Sequence, residues 1–421
     1  MNGKERRVLP ALLALGLLIT APGPSAGAGP EARDAIAGLL ERRAEAVLVG
    51  DEAAFMATIA PASEDFVARQ RRLFARMRAL RLDSYTLEVD WARYGDLVRG
   101  SDRARYPDAS DVAIPVTEER YSLRGFDAEP AAEDLFYTFI ETDGEWLIAE
   151  DTDLDDLTFY SARHPWDFHR QRVTRRGHFM LLEPVCRNCP DAPPGALALA
   201  RSALARVGDY WSSPWRKRVP IVIPARASDL KRMLQATFDV GDFVAFAYST
   251  VEVGEGIEYT GHRILLNPDA FVGRSSGSTL EILAHELLHI ASRYRSGPFV
   301  PTFVEEGIAE YVGRDQRPGA LSFFDIDVAT GAFDGRLPDE YQFSTGTGTD
   351  IFRSYQKSYA AITYFVERWG LGAFQRFYTA LGRPDIAPGT VAYHIDRAME
   401  RSIGLSLDQF ERAWAGSIGN R

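Results

Sequence analysis

The sequence predicts an α+β fold in two parts. Three observations carry this. The chain has 421 residues, 46% of them apolar, which exceeds what one ordinary core gathers. Between about residues 30 and 152 the apolar spacing changes from helical to a period of two. The second half mixes short apolar strands with helices that carry histidine and glutamate at helical spacing. Residues 1–28 read as a signal peptide, 29–172 as an accessory α+β domain with its linker, and 173–421 as the second domain.

Lys4, Arg6 and Arg7 form a basic start, "VLPALLALGLLITA" an apolar core, and "AGA" at Ala26–Ala28 a cleavage site. That is the pattern of a secretory signal. The apolar run is short for a membrane span and contains Pro10, so an uncleaved N-terminal anchor is the alternative. No later segment is long and apolar enough to cross a bilayer. The expected location is therefore secreted or cell-envelope. Only four of the 48 basic residues are lysine, a usage typical of GC-rich bacterial genomes.

After the signal, "EARDAIAGLLERRAEAVLVGD" has helical periodicity, followed by "EAAFMATI" and the Arg-rich "ARQRRLFARMRALR". In the last, Leu73, Phe74, Met77 and Leu80 stand at helical spacing, so the arginines form a solvated face. A net charge of −11 argues against nucleic acid as a partner. Then "SYTLEVDWARY", "DVAIPVTEERYSLRGF" and "DLFYTFIETDGEWLIAEDT" alternate as strands, the last a hairpin turning at Asp143-Gly144. Helices followed by antiparallel strands over residues 30–165 resemble the nuclear-transport-factor-like cone. The resemblance implies a curved sheet wrapped by helices, used for ligand binding or docking.

"SARHPWDFHRQRVTRRGHF" has no clear period and reads as the linker, with His164, His169 and His178 as solvated residues. Cys186 and Cys189 in "EPVCRNCPDAPP" are the two cysteines of the chain. In an oxidising compartment they read as a disulfide closing a small loop. The prolines that follow fit a loop better than a redox CxxC, and two thiols alone make a poor zinc site.

In the second half, "ALALARSALARVGDYW" reads as a helix, "KRVPIVIPA" as a strand and "ASDLKRMLQATF" as a helix. "DFVAFAYST" and "HRILLNPDAF" read as strands. "SGSTLEILAHELLHIASRY" is a helix whose Ser278 and Glu281 have capping-box spacing. A helix with "EEGIAEY" follows, then the Gly/Asp/Thr-rich loop 331–350, the helix "SYQKSYAAITYFVERWG" and two C-terminal helices. His285 and His289 stand four apart, so both imidazoles project from one helix face. That suits two ligands of one zinc ion, with Glu286 within reach of a metal-bound water. His262 and His394 read as structural or solvated.

A catalytic zinc site needs three protein ligands and a water. The metzincin pattern fails, because Ser292 and Arg295 stand where it needs Gly and His. An aspzincin motif is also missing. "FVEEGIAEY" (Phe303–Tyr311) resembles the gluzincin signature, in which an aromatic residue, two further residues, Glu and Gly open a second zinc helix. The resemblance covers about residues 175–421. It implies a metallopeptidase domain with a small mixed sheet, zinc-binding helices and a C-terminal helical part. It makes Glu306 the third ligand and Glu310 the carboxylate that holds the outer nitrogen of a zinc histidine. It makes Tyr355 of "SYQKSYAAITYF" the donor to the oxyanion, with Tyr359 and Tyr364 as the alternatives. Phe303 replaces the usual tryptophan, and the Gly-x-Met-Glu-Asn motif of the aminopeptidase branch is absent.

The expectation is zinc-dependent hydrolysis of peptide bonds in a peptide or protein substrate, with one Zn2+ activating water and Glu286 as general base. "RILLNP" (Arg263–Pro268) would be the edge strand that pairs with the substrate. A non-enzymatic zinc-containing scaffold, whose cone binds a ligand or partner, is the rival; it leaves Glu286 without a purpose. Hydrolysis of a non-peptide amide or ester is a second rival. Of the adjacent glutamates, Glu305 lies three residues after Thr302, the spacing of a second capping box, and Glu306 faces HELLH.

Overall fold

The computed structural model describes residues 28–421 except 94, 254–256, 298, 316–321, 345–347, 384–388 and 419–421. The signal peptide lies outside the described residues, apart from its final Ala28. Among the described residues no helix is long and apolar enough to cross a membrane.

The chain opens with helices Pro30–Val49, Glu52–Met56 and Glu64–Met77. Ser63 caps the third by accepting from the Phe66 amide, and Phe74, Met77 and Leu80 of the Arg-rich stretch turn inward. Six strands follow: β1 (Leu82–Val89), β2 (Asp111–Ala113), β3 (Thr117–Leu123), β4 (Ala131–Leu135), β5 (Thr138–Thr142) and β6 (Glu145–Glu150). They form two antiparallel three-stranded sheets, β1-β3-β4 and β2-β5-β6. The long "DVAIPVTEERYSLRGF" stretch is two strands, because Pro115 interrupts the ladder. Asp143 and Gly144 both take positive φ, 53° and 81°, as the primed two-residue turn requires.

The linker expectation fails beyond residue 170. Gln171–Arg176 (β7) and Phe179–Pro184 (β8) form a hairpin. With β9 (Val219–Val222), β10 (Ala245–Val253) and β11 (Ile257–Leu266) they build one five-stranded sheet of order β10-β11-β9-β8-β7. The hairpin was hidden because β7 is mostly exposed and arginine-rich, so its period is faint. The expected edge strand is also corrected. Arg263–Leu266 lies inside β11, between β10 and β9, and β10 is the edge. Strand order depends on contacts distant in sequence, which a local pattern does not carry.

This sheet is covered on both faces. Phe179, Leu181, Ile221, Ile264, Leu266, Ala245 and Ala247 pack toward the HELLH helix, while Met180, Leu182, Val222, Leu265 and Phe246 pack toward the N-terminal half. Side chains alternate across a strand, so one sheet serves two cores. Polar bridges cross the same junction. Arg263 forks onto Asp127 at 2.6 and 2.8 Å, and Arg120 reaches Glu252.

Helix Ala196–Tyr210 and the HELLH helix, Ser276–Arg293, lie against each other on one face of the sheet. The HELLH helix is capped by Ser275, whose hydroxyl accepts from the Ser278 amide. The capping box at Ser278 and Glu281 is therefore not formed; the helix begins three residues earlier. Helix Thr302–Arg314, here the EEG helix, packs between the HELLH helix and the long helix Gly348–Leu381. Gly370 (φ 82°) breaks that long helix, and helices Val391–Ile403 and Leu407–Ile418 close the chain.

Candidate metal centre

On the HELLH helix, His285 and His289 project from one face toward the EEG helix. Their Nε2 atoms lie 3.0 Å apart. Glu306 completes the group: Oε2 is 3.3 Å from His285 Nε2 and Oε1 is 3.4 Å from His289 Nε2. Atoms bound at 2.0–2.1 Å to a tetrahedral zinc stand about 3.3 Å from each other, and each of these separations is close to that value, the two to Glu306 running to different carboxylate oxygens. All three side chains are buried. Neither carboxylate oxygen of Glu306 has a hydrogen-bond partner. Buried polar groups are otherwise almost always paired, so orphaned carboxylate oxygens beside two imidazoles fit a cation. The donor set of two imidazoles and one carboxylate fits zinc.

Backbone contact brings the helices this close. A Cβ on Gly307 would lie 2.5 Å from Ile362 Cγ1 and 2.8 Å from the Ser358 carbonyl oxygen. A Cβ on Gly313 would lie 3.0 Å from the Glu281 carbonyl oxygen and 3.3 Å from His285 Cβ. The glycine after the glutamate pair is thus the seat of the long helix, and Gly313 is the seat of the HELLH helix.

Around the three donors stand the other residues singled out from the sequence. Glu310 Oε1 lies 3.5 Å from His285 Nδ1, and Arg314 Nε donates to Glu310 Oε2 at 2.6 Å. Burial opposes ionisation of Glu310, but Arg314 and His285 outweigh it and hold the carboxyl well below its usual range. Burial likewise disfavours the His285 imidazolium, yet Glu306 and Glu310 push it up to about 10. In the metal-free protein a proton therefore sits where an ion would bind. Glu286 is fully buried, and neither of its oxygens has a hydrogen-bond partner. Burial raises its pKa, against the pull of His285 and His289. The Tyr355 hydroxyl is buried and also unpartnered; burial and the Glu306 charge push it well above its usual value. Tyr359 instead lies beside Arg314, whose guanidinium is 5.2 Å from its ring centroid.

Glu305 does not form the expected capping box. Pro301 precedes the EEG helix, and Glu340 binds the Thr302 amide and hydroxyl. Glu305 instead accepts from Ser296 Oγ at 2.7 Å and Tyr378 Oη at 3.3 Å, tying the HELLH–EEG connection to the long helix.

One neighbour escaped sequence reading. Arg293, four residues after His289, is buried and donates to the Ala247 carbonyl at 2.6 Å and to Ser249 Oγ on β10. It pins the edge strand to the HELLH helix. The four-residue step from His289 was the visible signal. Ser249 in turn bonds His262 Nδ1 at 2.6 Å, so His262 is structural; burial pushes its pKa down to about 3. His394 is buried against Phe299, far along the chain from the donors.

The linker histidines divide. His178 is exposed, as expected. His164 is buried, bonds Glu119 at 2.6 Å and stacks on Trp166. Its partner lies 45 residues away, beyond any local pattern. His169 lies beside Cys186 and Cys189, which form the expected disulfide.

No protein-family model matches the chain, and no curated protein was found similar to it. Solved structures do resemble part of it. A two-domain M1 zinc metallopeptidase variant bound to L-tryptophan has 14% identity, with 58% of this chain and 51% of that chain covered and a TM-score of 0.33. The M1 zinc metallopeptidase from Deinococcus radiodurans, solved as such and as a variant bound to a Tyr-Ser-Ala substrate, has 13% identity with the same coverage and TM-score. The chain spans about half the length of these structures.

Proposed function

We propose that this protein is a zinc-dependent hydrolase of peptide bonds that acts outside the cytoplasm. In this reading residues 173–421 form the gluzincin-like catalytic domain and residues 29–172 a cone-like accessory domain. The observation that carries it is the buried, unpartnered Glu286 beside the converged donors of His285, His289 and Glu306. A structural zinc site, or a scaffold that only binds, needs no carboxylate there.

A zinc ion held by those three residues would polarise a substrate carbonyl and acidify a water. Glu286 takes the proton of the attacking water and delivers it to the departing amine. Tyr355 keeps its proton at neutral pH and donates it as a hydrogen bond to the oxyanion that develops on the carbonyl. Glu310, anchored by Arg314, keeps the His285 Nδ1 proton in place so that Nε2 faces the ion. β10, rather than Arg263–Pro268, is the strand against which an extended peptide would lie.

The test measures bound zinc and cleavage of unfolded proteins by wild type and Glu286→Gln. The variant should keep one zinc and lose about 10²–10⁴-fold in kcat. Wild-type protein that holds stoichiometric zinc yet cleaves nothing across broad peptide libraries would sink the proposal. A paired comparison tests the ligand set. Glu306→Ala should weaken zinc by more than about a hundredfold, beyond the loss typical of residues that only support a ligand. Glu305→Ala should leave zinc bound.

A further inference from the structure

We propose a second metal site, opened by reduction, in which His169, Cys186 and Cys189 hold a thiophilic divalent ion such as zinc. It lies outside the centre described above and does not depend on it. The β7–β8 register makes it. Gln171 pairs with Pro184 and the Val185 amide bonds the Arg170 carbonyl, so the chain just before β7 lies beside the chain just after β8. The ligating atoms of His169, Cys186 and Cys189 all lie within 4.8 Å of one another. The cysteines stand three positions apart, the spacing used by structural zinc sites.

Two further observations point to a ligand. His169 Nε2 is buried and makes no hydrogen bond; the Asp229 carboxylate is 3.8 Å away, too far for one. The backbone of His169 is held, since Gln171 Nε2 donates to its carbonyl at 2.9 Å. The histidine is therefore placed but unused. Burial, together with the charges of Arg76 and Arg226, keeps its imidazole neutral and outweighs Asp229. Cys186 is exposed, so a reductant can reach the bond.

In the oxidised protein the sulfurs bond each other and the site is closed. Two electrons and two protons convert the disulfide to two thiols; with a phosphine as reductant, the phosphine becomes its oxide and takes its oxygen from water. Binding a divalent ion then releases one proton from each thiol. His169 adds the third donor, and a water can take the fourth position. The dithiol alone would be a weak site; the histidine beside it makes a three-donor one.

Cobalt(II) distinguishes this site from the first. Thiolate ligation gives a sulfur-to-cobalt charge-transfer band in the near ultraviolet, whereas the His285, His289 and Glu306 donors contain no sulfur. The full chain is stripped of metal and titrated with cobalt, oxidised or after phosphine reduction. The expected result is one additional equivalent after reduction, accompanied by the band. Cys186→Ser should abolish both. His169→Gln should weaken the added equivalent by about tenfold or more. Retention of the sulfur-free equivalent in His169→Gln shows that this variant is folded. Absence of the band after reduction overturns the proposal. So does a band that forms with unchanged affinity in His169→Gln. Loss of the sulfur-free equivalent alone would count against the peptidase reading and not against this one.

Discussion

Two of the clusters of buried charged side chains among the described residues differ in one respect. At the junction of the halves the charges meet each other: Glu119 with His164, Asp127 with Arg263, Asp151 with Arg163. Around His285 only Glu310 is met in that way, by Arg314. Glu306 and Glu286 keep all four oxygens without a hydrogen-bond partner. A buried ion pair left intact organises a core, whereas a buried carboxylate left open raises the free energy of the fold unless something binds it. The first cluster is therefore read as architecture and the second as a site.

That contrast can be broken by experiment. The largest effect is expected at the junction. Arg263→Ala strands Asp127 in the interior and should cost about 3–5 kcal/mol in chemical denaturation, with zinc stoichiometry unchanged. Zinc lost in proportion to stability would mean that the two clusters are coupled.

The next effect is a dependence on pH. Burial disfavours the charged form of His164, but Glu119 outweighs it and raises the folded pKa to about 9 from an unfolded value of 6.5. Its contribution is therefore complete below pH 6.5 and lost as pH rises through 9; it amounts to at most about 3 kcal/mol. Glu133, on the same junction cavity, is pushed up to about 7 by burial, so it too favours folding when protonated. Its contribution is complete below its unfolded value of 4.5 and fades as pH rises through 7. Unfolding free energy of the metal-free protein should fall from pH 6.5 to 9, with His285 contributing in the same direction, and His164→Gln should reduce that slope. An unchanged slope would mean that the Glu119 pair contributes nothing.

The smallest effect is expected at the edge of the open cluster. Glu310→Gln keeps the shape but removes the charge facing His285 Nδ1. It should weaken zinc binding about 10–100-fold, measured by competition with a chelator, with little change in stability. Unaltered affinity would demote Glu310 to a partner of Arg314.

The open cluster was legible in the sequence because its parts are local. Four-residue spacing puts His285 beside His289, and Glu306 is followed by the glycine that lets its helix approach. The antiparallel strands of the first half were legible for the same reason, down to the Asp143-Gly144 turn. The closed cluster was not, since His164 and Glu119 meet only after β3 and the 160s fold together. The order of the five-stranded sheet was hidden likewise, and with it the edge position of β10. Both misplaced capping boxes show a narrower limit. Ser275 and Ser278 are chemically equal candidates, and Glu340, distant in sequence, took the position at Thr302.

Gly307 and Gly313 have a thermodynamic consequence. They lie three residues on either side of Glu310 and seat one helix against two others through bare backbone. The cost of bringing the three donor side chains together is then met while the chain folds, not when an ion arrives. Such a preorganised cage should take up and release its ion without rearranging, and nearly all of the binding free energy should appear as added resistance to unfolding.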